Sequence, residues 1–390
     1  MMSFGIKSYA SWAQCLASIT GKVVSRQAIF ERMNSAWIGL VKQLLEIVMA
    51  QQAVKQTSSE IFKHFNRVLL QDSTTLHLPD CLSGLFKGNV SRGKAKAVAK
   101  LNIVMDVISG KFLFMKWMSF TVTEQALSGN ILGIASSSDL VIRDLGYSVL
   151  RIFQDMNEKG IYFLSRLRYG LSLFAAKSGE PIDILKLLKG KAFVDHRVLC
   201  GKDKKLKVRL VAIRLSPEQA AQRRRKAKQD RDKRLNHSKE YYTLLDYVIF
   251  ITNVTENIWN YRQAAAAYRV RWNIEILFKS WKSGLKIKHL IPEDIKHTER
   301  VESILYMMML YVVWFQLLMY IPVKWYAEKH GHQISILKLA NRMTIEATDW
   351  LTSTINNAFK RELMQQCRYD IRHDRINAVQ RLELFFSSLA

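Results

Sequence analysis

Three short apolar runs constrain this chain most. Arg67-Val-Leu-Leu-Gln-Asp72 and Asp139-Leu-Val-Ile-Arg-Asp144 each end in an acid, and Asp246-Tyr-Val-Ile-Phe-Ile-Thr252 leads into a long helical pattern. Runs of this length, bounded by polar residues, read as buried strands. Helical stretches separate them, so the pattern predicts an α/β fold. In such folds strand ends and the helices beside them assemble the site.

The rest of the chain fills in around these runs. Ser25-Arg-Gln-Ala-Ile-Phe reads as a capped helix start, and Ala36 to Val54 carries Ile38, Val41, Leu44, Leu45 and Val48 at helical spacing. A linker rich in Gly and Lys is expected over Gly84 to Lys100. Leu101 to Val107 alternates, and Ser109-Gly110 turns the chain into an aromatic strand over Phe112 to Phe120, which makes a hairpin. Helices are expected from Glu124 and over Ser148 to Lys159, with a strand at Ile161 to Leu167. Short strands follow at Ala192 to Leu199 and Leu206 to Leu215, then a long helix from Tyr261 to Lys286.

Charge narrows the partner. The 59 Lys and Arg against 33 Asp and Glu leave a net +26, which points to a polyanion, either nucleic acid or an anionic membrane. The basic run Gln222 to Lys233, QRRRKAKQDRDK, reads as a solvated helix or loop, or as a direct phosphate contact. Four scattered cysteines (Cys15, Cys81, Cys200, Cys367) form no C-x-x-C pair, which argues against a zinc site or a disulfide framework and suits a reducing cytosol. No secretory signal is expected from the first thirty residues. Ile304 to Ile321, ILYMMMLYVVWFQLLMYI, is long enough for a membrane span but equally reads as a buried core helix.

The helix around Glu275 carries the chemistry. At 100° per residue, Tyr268, Arg271, Glu275 and Lys282 fall within an arc of about 60°, flanked by Trp272 and Lys279. Ile274, Leu277, Phe278, Trp281 and Leu285 fall on the other side. The pattern predicts a helix that buries its apolar face and presents Tyr, Arg, Glu and Lys. One account is an exposed face laced by ion pairs, with Arg271 and Lys279 four residues either side of Glu275. The other joins Glu275 to Asp72 and Asp144. Three carboxylates from separate elements suit Mg²⁺, and two such ions can clamp an in-line phosphoryl displacement. Arg271 and the lysines would then hold DNA phosphates, and Tyr268 could donate to one.

Tyr268-x2-Arg271-x3-Glu275-x6-Lys282 resembles the Y-x2-R-x3-E-x6-K signature of bacterial DDE transposases of the insertion-sequence-four type. The words Tyr-Arg-Val-Arg-Trp-Asn-Ile-Glu, Lys-Ser-Trp-Lys-Ser-Gly, Asp72-Ser-Thr and Asp144-Leu-Gly agree with it over roughly residues 60 to 320. The resemblance implies an α/β fold with a ribonuclease-H-like core, a β-rich insertion, and helical regions at both ends. Residues 1–62 read as a helical region and a candidate for DNA-end binding, and the resemblance implies the first part of the core over 63–168. The insertion with the basic run would span 169–245, the second part of the core with the signature helix 246–300, and a C-terminal helical region 301–390.

Catalytic and metal-holding Asp72, Asp144 and Glu275 are implied, with two Mg²⁺ that Mn²⁺ can replace. DNA contacts are implied at Tyr268, Arg271, Trp272, Lys279 and Lys282. The reaction implied is cut-and-paste transposition through a hairpin, with Trp272 against a flipped base and Tyr247 as the aromatic available on the preceding strand. Partners would be the terminal inverted repeats, target DNA and a second copy of the chain, in the bacterial cytoplasm at the nucleoid, with no membrane role. By the same resemblance the apolar segment is a helix packed inside the protein. The competing readings are a transposase-derived DNA-binding protein that no longer cuts and, from the apolar segment alone, a basic membrane-associated protein.

Overall fold

The computed structural model describes residues 8–50, 60–203, 206–229, 238–287, 290–291, 295, 297–352 and 356–369. The end of the basic run (230–233), the end of the expected third helix (51–54) and the last stretch of the C-terminal region (370–390) lie outside them. Three helices open the chain: α1 (Tyr9–Thr20), α2 (Arg26–Arg32) and α3 (Ser35–Ala50). The expected cap is present, since Ser25 Oγ accepts from the Ala28 N–H. Strands β1 (Val68–Leu78), β2 (Lys87–Ser91), β3 (Lys94–Asp106) and β4 (Phe112–Ser119) follow, then α4 (Glu124–Leu127), β5 (Leu140–Arg143), α5 (Leu150–Glu158) and β6 (Tyr162–Arg166). Next come β7 (Leu173–Ala175), α6 (Ile184–Leu188), β8 (Phe193–Cys200), β9 (Leu206–Arg214), α7 (Pro217–Lys228), α8 (Lys239–Leu244) and β10 (Tyr247–Thr252). Helices α9 (Tyr261–Tyr268), α10 (Trp272–Lys279), α11 (Thr298–Trp314), α12 (Ile321–Lys329), α13 (Ile336–Thr352) and α14 (Asn357–Cys367) are the last among the described residues.

With β2 set aside as an added hairpin arm, the chain order of three strands (β1, β3, β4), helix, strand, helix, strand, with β3 beside both β4 and β1 and with β5 between β1 and β6, is that of a ribonuclease-H-like core. Two compact units share β1. The first comprises Met1–Gln56, Asp72–Val122 and Trp272–Arg381, and the second Thr57–Gln71, Thr123–Arg271 and Leu382–Ala390.

In the first unit, the expected Gly/Lys linker is instead a hairpin. Arg92 and Gly93 both take positive φ (52° and 74°) between β2 and β3. Two such residues in succession give the tight two-residue turn whose twist matches the strands, and Gly93 meets that demand without steric cost. β3 is buried at every position from Ala97 to Asp106, so the expected alternation is absent there. The apolar segment forms one helical run, Thr298–Lys329, passing through a π-helical stretch at Phe315–Tyr320. It is long and apolar enough to cross a membrane, yet 56% of its most apolar window is buried. It packs on α3 and β4, and Trp117 Nε1 donates to the Leu305 carbonyl at 3.1 Å. Ile38, Val41 and Leu45 of α3 are buried, while Leu44, expected beside them, is 40% exposed.

In the second unit, β5 and β6 continue parallel from the first residues of β1, and β10, β9, β8 and β7 follow antiparallel. The insertion is therefore built onto the core sheet. β9 pairs along all of β10, from Tyr247↔Arg214 to Thr252↔Arg209. Helix α7 carries most of the basic run, capped by Ser216 with Pro217 in its first turn. Arg223 donates to the Leu245 and Tyr247 carbonyls, and Arg224 pairs with Asp246, so two of its cations fasten the helix to the start of β10. Arg225, Lys226 and Lys228 are exposed.

Candidate active site

Asp144 is placed by β5. The strand is wholly buried, as its sequence Leu-Val-Ile-Arg predicts for a strand covered on both faces. It ends one residue before the acid, which takes extended backbone (φ −74°, ψ 164°) at the start of a 3₁₀ turn over Leu145–Tyr147. The Asp144 side chain is 44% exposed. Asp72 differs from its expected position at a strand end. It lies within β1, half-buried, and its Oδ1 accepts from the Ser73 N–H at 2.8 Å. Register ties the two runs together: Gln71 pairs with Arg143 across the parallel β1–β5 ladder. Each acid is the next residue in the chain after that pair.

The pair is also locked through its side chains. Arg143 is 1% exposed, and its Nη1 donates to Gln71 Oε1 (3.2 Å), to the Ser128 carbonyl (2.9 Å) and to Ser128 Oγ (3.0 Å). Its guanidinium lies 5.2 Å from the Phe153 ring centre. Burial pushes the Arg143 pKa down to about 9. Among the described residues, neither its Nε nor its Nη2 has a hydrogen-bond partner. Sequence reading missed Gln71, Arg143 and Ser128. The available signal was an arginine inside an apolar run, which costs free energy to bury and so implies specific partners.

The signature stretch is not the single straight helix that the 100° wheel assumed. α9 starts at a capping box in which Asn260 and Gln263 each accept the other's backbone N–H. It ends at Tyr268, passes through a 3₁₀ turn at Arg269–Arg271, resumes as α10, and widens to a π turn at Ser280–Gly284. Both changes of pitch rotate later residues away from their ideal positions. Tyr268 and Arg271, expected on the presented face, are buried at 4% and 7% exposure. Tyr268 OH donates to the Arg143 carbonyl at 3.4 Å, its ring packs 5.0 Å from Phe250, and Arg166 and Arg271 lie over it at 5.6 and 5.9 Å. Burial pushes the Tyr268 pKa up to about 12, so its hydroxyl keeps its proton and acts as a donor. Arg271 Nε comes within 3.9 Å of Asp144 Oδ1. Tyr268 and Arg271 therefore gather at Asp144 and the residue before it.

The second half of the stretch belongs to the first unit. Trp272 is 49% exposed, Glu275 and Lys282 are half-buried, and Lys279 is exposed. The apolar side is as expected: Ile274, Leu277, Phe278, Trp281 and Leu285 are all buried. Trp281 packs between Phe112 and Phe278, at 5.8 and 5.6 Å. Gly284 is required by close approach, since a Cβ there would meet the Ala340 Cβ at 2.6 Å. Tyr247, the expected second aromatic, is buried, and its hydroxyl donates to the Leu188 and Lys191 carbonyls. It holds the insertion together and offers no face to a ligand.

Carboxylates are hard oxygen donors, the set that Mg²⁺ takes, so the chemistry of Asp72, Asp144 and Glu275 suits that ion. Among the described residues, no group of three or more His, Cys, Asp or Glu side chains is drawn together.

A mixed α/β chain with a ribonuclease-H-like core and an acid directly after its fourth core strand defines a class of proteins, and residues 63–310 match the Transposase DDE domain family. The chain belongs to that family, which bears out the resemblance carried by the signature. It is 26% identical over 314 residues to the transposase for insertion sequence element IS231F of Bacillus thuringiensis subsp. israelensis, covering 75% of this chain and 65% of the relative. It is 27% identical over 313 residues to that for IS231B of Bacillus thuringiensis subsp. berliner, with the same coverage. For IS1151 of Clostridium perfringens the identity is 26% over 294 residues, covering 70% of this chain and 62% of the relative. The matched stretch thus spans about two thirds of the length of these relatives. A cryo-EM structure of the piggyBac transposase synaptic complex with hairpin DNA aligns over 91% of this chain and 67% of its own, with TM-score 0.43 and 10% identity.

Proposed function

We propose that this chain is a transposase that cuts and joins DNA at the ends of an insertion sequence, with Asp72, Asp144 and Glu275 as its catalytic acids. The observation that carries the proposal is the Gln71–Arg143 pair. A register contact and a side-chain hydrogen bond fix the residues directly preceding two of the three acids. The reaction is hydrolysis at the element end to free a 3′-OH, attack of that hydroxyl on the opposite strand to form a hairpin, opening of the hairpin, and insertion into target DNA. The three carboxylates would hold two Mg²⁺ (or Mn²⁺), which when bound lower the pKa of water and offset charge on the reacting phosphate.

The chain's own groups do the positioning. Tyr268 clamps the Arg143 carbonyl and so steadies the backbone leading to Asp144. Arg271 restrains the Asp144 carboxylate and carries charge toward a phosphate. Lys279 and Lys282 hold backbone phosphates, and Trp272 offers an exposed ring for a flipped base. Two protomers would bring two terminal inverted repeats together before target DNA is engaged. The net charge of +26 suits a load of several duplex segments, and the setting is the bacterial cytoplasm at the nucleoid.

The test is incubation of the purified protein with a plasmid carrying its gene and flanking DNA, with and without Mg²⁺, beside Glu275→Gln. Release of the segment in Mg²⁺, absent in the variant, is the expected result. Binding at the flanks with no cut in Mg²⁺ or Mn²⁺ would leave a transposase-derived DNA-binding protein instead.

A further inference from the structure

The second unit contains a cavity of about 370 Å³ where the start of β8, the end of β9 and α9 meet. Ligand pockets usually run from roughly 300 to 1,000 Å³. Its composition is selective. Phe193 and Tyr261 stack face to face, with ring centres 4.0 Å apart and planes inclined by 2°. Phe193 is 45% exposed, so the pair presents an aromatic face to solvent. Arg214, Arg262 and Arg269 line the same cavity, and all three are exposed. Among the described residues, no Asp or Glu lines it.

The platform is held rigidly. Phe193 pairs with Ile213 across β8 and β9, and the Arg214 N–H donates to the Ala192 carbonyl at 2.8 Å. Arg262 Nε donates to Tyr261 OH at 3.0 Å, fixing the lower ring from its edge. The floor comes from Ala265 and Ala266 of α9, whose small side chains leave the space open.

An exposed aromatic of this size on a strand end is costly in water. Core packing does not account for it, because Phe193 remains 45% exposed. Arg214 and Arg262 bring positive charge to the cavity wall, which suits an anion, and an aromatic face beside them selects a ligand that is both anionic and planar. An unpaired stretch of nucleic acid has both properties: every base offers a π face and every residue carries a phosphate. A paired duplex buries its base faces and could use only the arginines.

We propose that the Phe193–Tyr261 platform with Arg214 and Arg262 is a binding site for unpaired DNA, with a base on Phe193 and the adjoining phosphates on these two arginines. The proposal rests on the reading of the chain as a DNA-processing protein, since strand cutting exposes unpaired ends. The site would hold such an end while the rest of the reaction proceeds.

The test uses the full chain and a single-stranded oligonucleotide of about ten residues with one 2-aminopurine, compared with the same sequence as a duplex. Phe193→Ala is expected to weaken single-strand binding about tenfold, to abolish the change in 2-aminopurine fluorescence, and to leave duplex binding unaltered. Phe193→Trp should restore the signal. Arg214→Gln and Arg262→Gln are expected to lower the slope of log K against log salt by about 0.7 each for the single strand. Both arginines are exposed, so their variants keep the fold if Phe193→Ala does not. Equal effects of Phe193→Ala on single and double strands, or arginine variants with unchanged slopes, would overturn the proposal. No cutting is measured, so failure here leaves the catalytic reading standing, and failure of the plasmid assay leaves this one.

Discussion

The two halves of the signature stretch share one sequence pattern and have opposite physical roles. Tyr268 and Arg271, up to the end of the 3₁₀ turn, are buried at 4% and 7% exposure and direct their polar groups to the Arg143 carbonyl and Asp144. Trp272, Glu275, Lys279 and Lys282, after it, range from half-buried to exposed. A fixed spacing of four polar residues on a helix therefore does not mean four ligand contacts. The first two are packed against Arg143 and Asp144, and the rest lie nearer the surface.

The largest effect that would sharpen this contrast is on chemistry. Asp144→Asn and Glu275→Gln should each lower strand cleavage by at least about 10³-fold while changing DNA affinity only a few-fold. Nicking of an end-bearing duplex in Mg²⁺ measures it. Loss of affinity in both would mean these acids serve the fold. Tyr268→Ala should then cost about 3–5 kcal/mol of stability in urea unfolding, and Tyr268→Phe about 1 kcal/mol. An unaltered Tyr268→Ala midpoint would break the scaffold reading of the first half.

Arg143→Ala should cost roughly 2–4 kcal/mol, because it leaves Gln71 Oε1 and the Ser128 carbonyl without their shared donor. Lys279→Ala and Lys282→Ala should each reduce the salt slope of duplex binding by about 0.9 with little change in stability. The smallest effect is expected from Trp272→Ala on folding, within about 0.5 kcal/mol. Its loss should instead show as slower hairpin formation than first-strand nicking, resolved on denaturing gels. Equal slowing of both steps would return Trp272 to a packing role.

Much of this was legible because burial writes itself into periodicity. The apolar runs at β5 and β10 and the apolar side of α10 stand in the structure where the pattern puts them. So does the capped start at Ser25. The misplaced features share a different cause. Gly84 to Lys100 reads as a linker because Gly and Lys are weak strand formers, yet the Arg92-Gly93 turn and pairing with a buried neighbour carry it into a hairpin. The straight helix over Tyr261 to Lys286 failed because a 3₁₀ and a π turn are set by packing partners distant in sequence, such as Ala340 against Gly284.

Local patterning carries the α/β class, the acids after the apolar runs, the signature that marks the family, and the positive charge suited to a polyanion. These are local properties: composition, period and spacing. Long-range packing brings Gln71 and Arg143 into their clasp, turns Tyr268 inward, and gathers Phe193, Tyr261 and three arginines around one cavity. Each of these depends on strand register and on which elements pack together. Burial energy summed over many residues settles that, and no single stretch of sequence carries it.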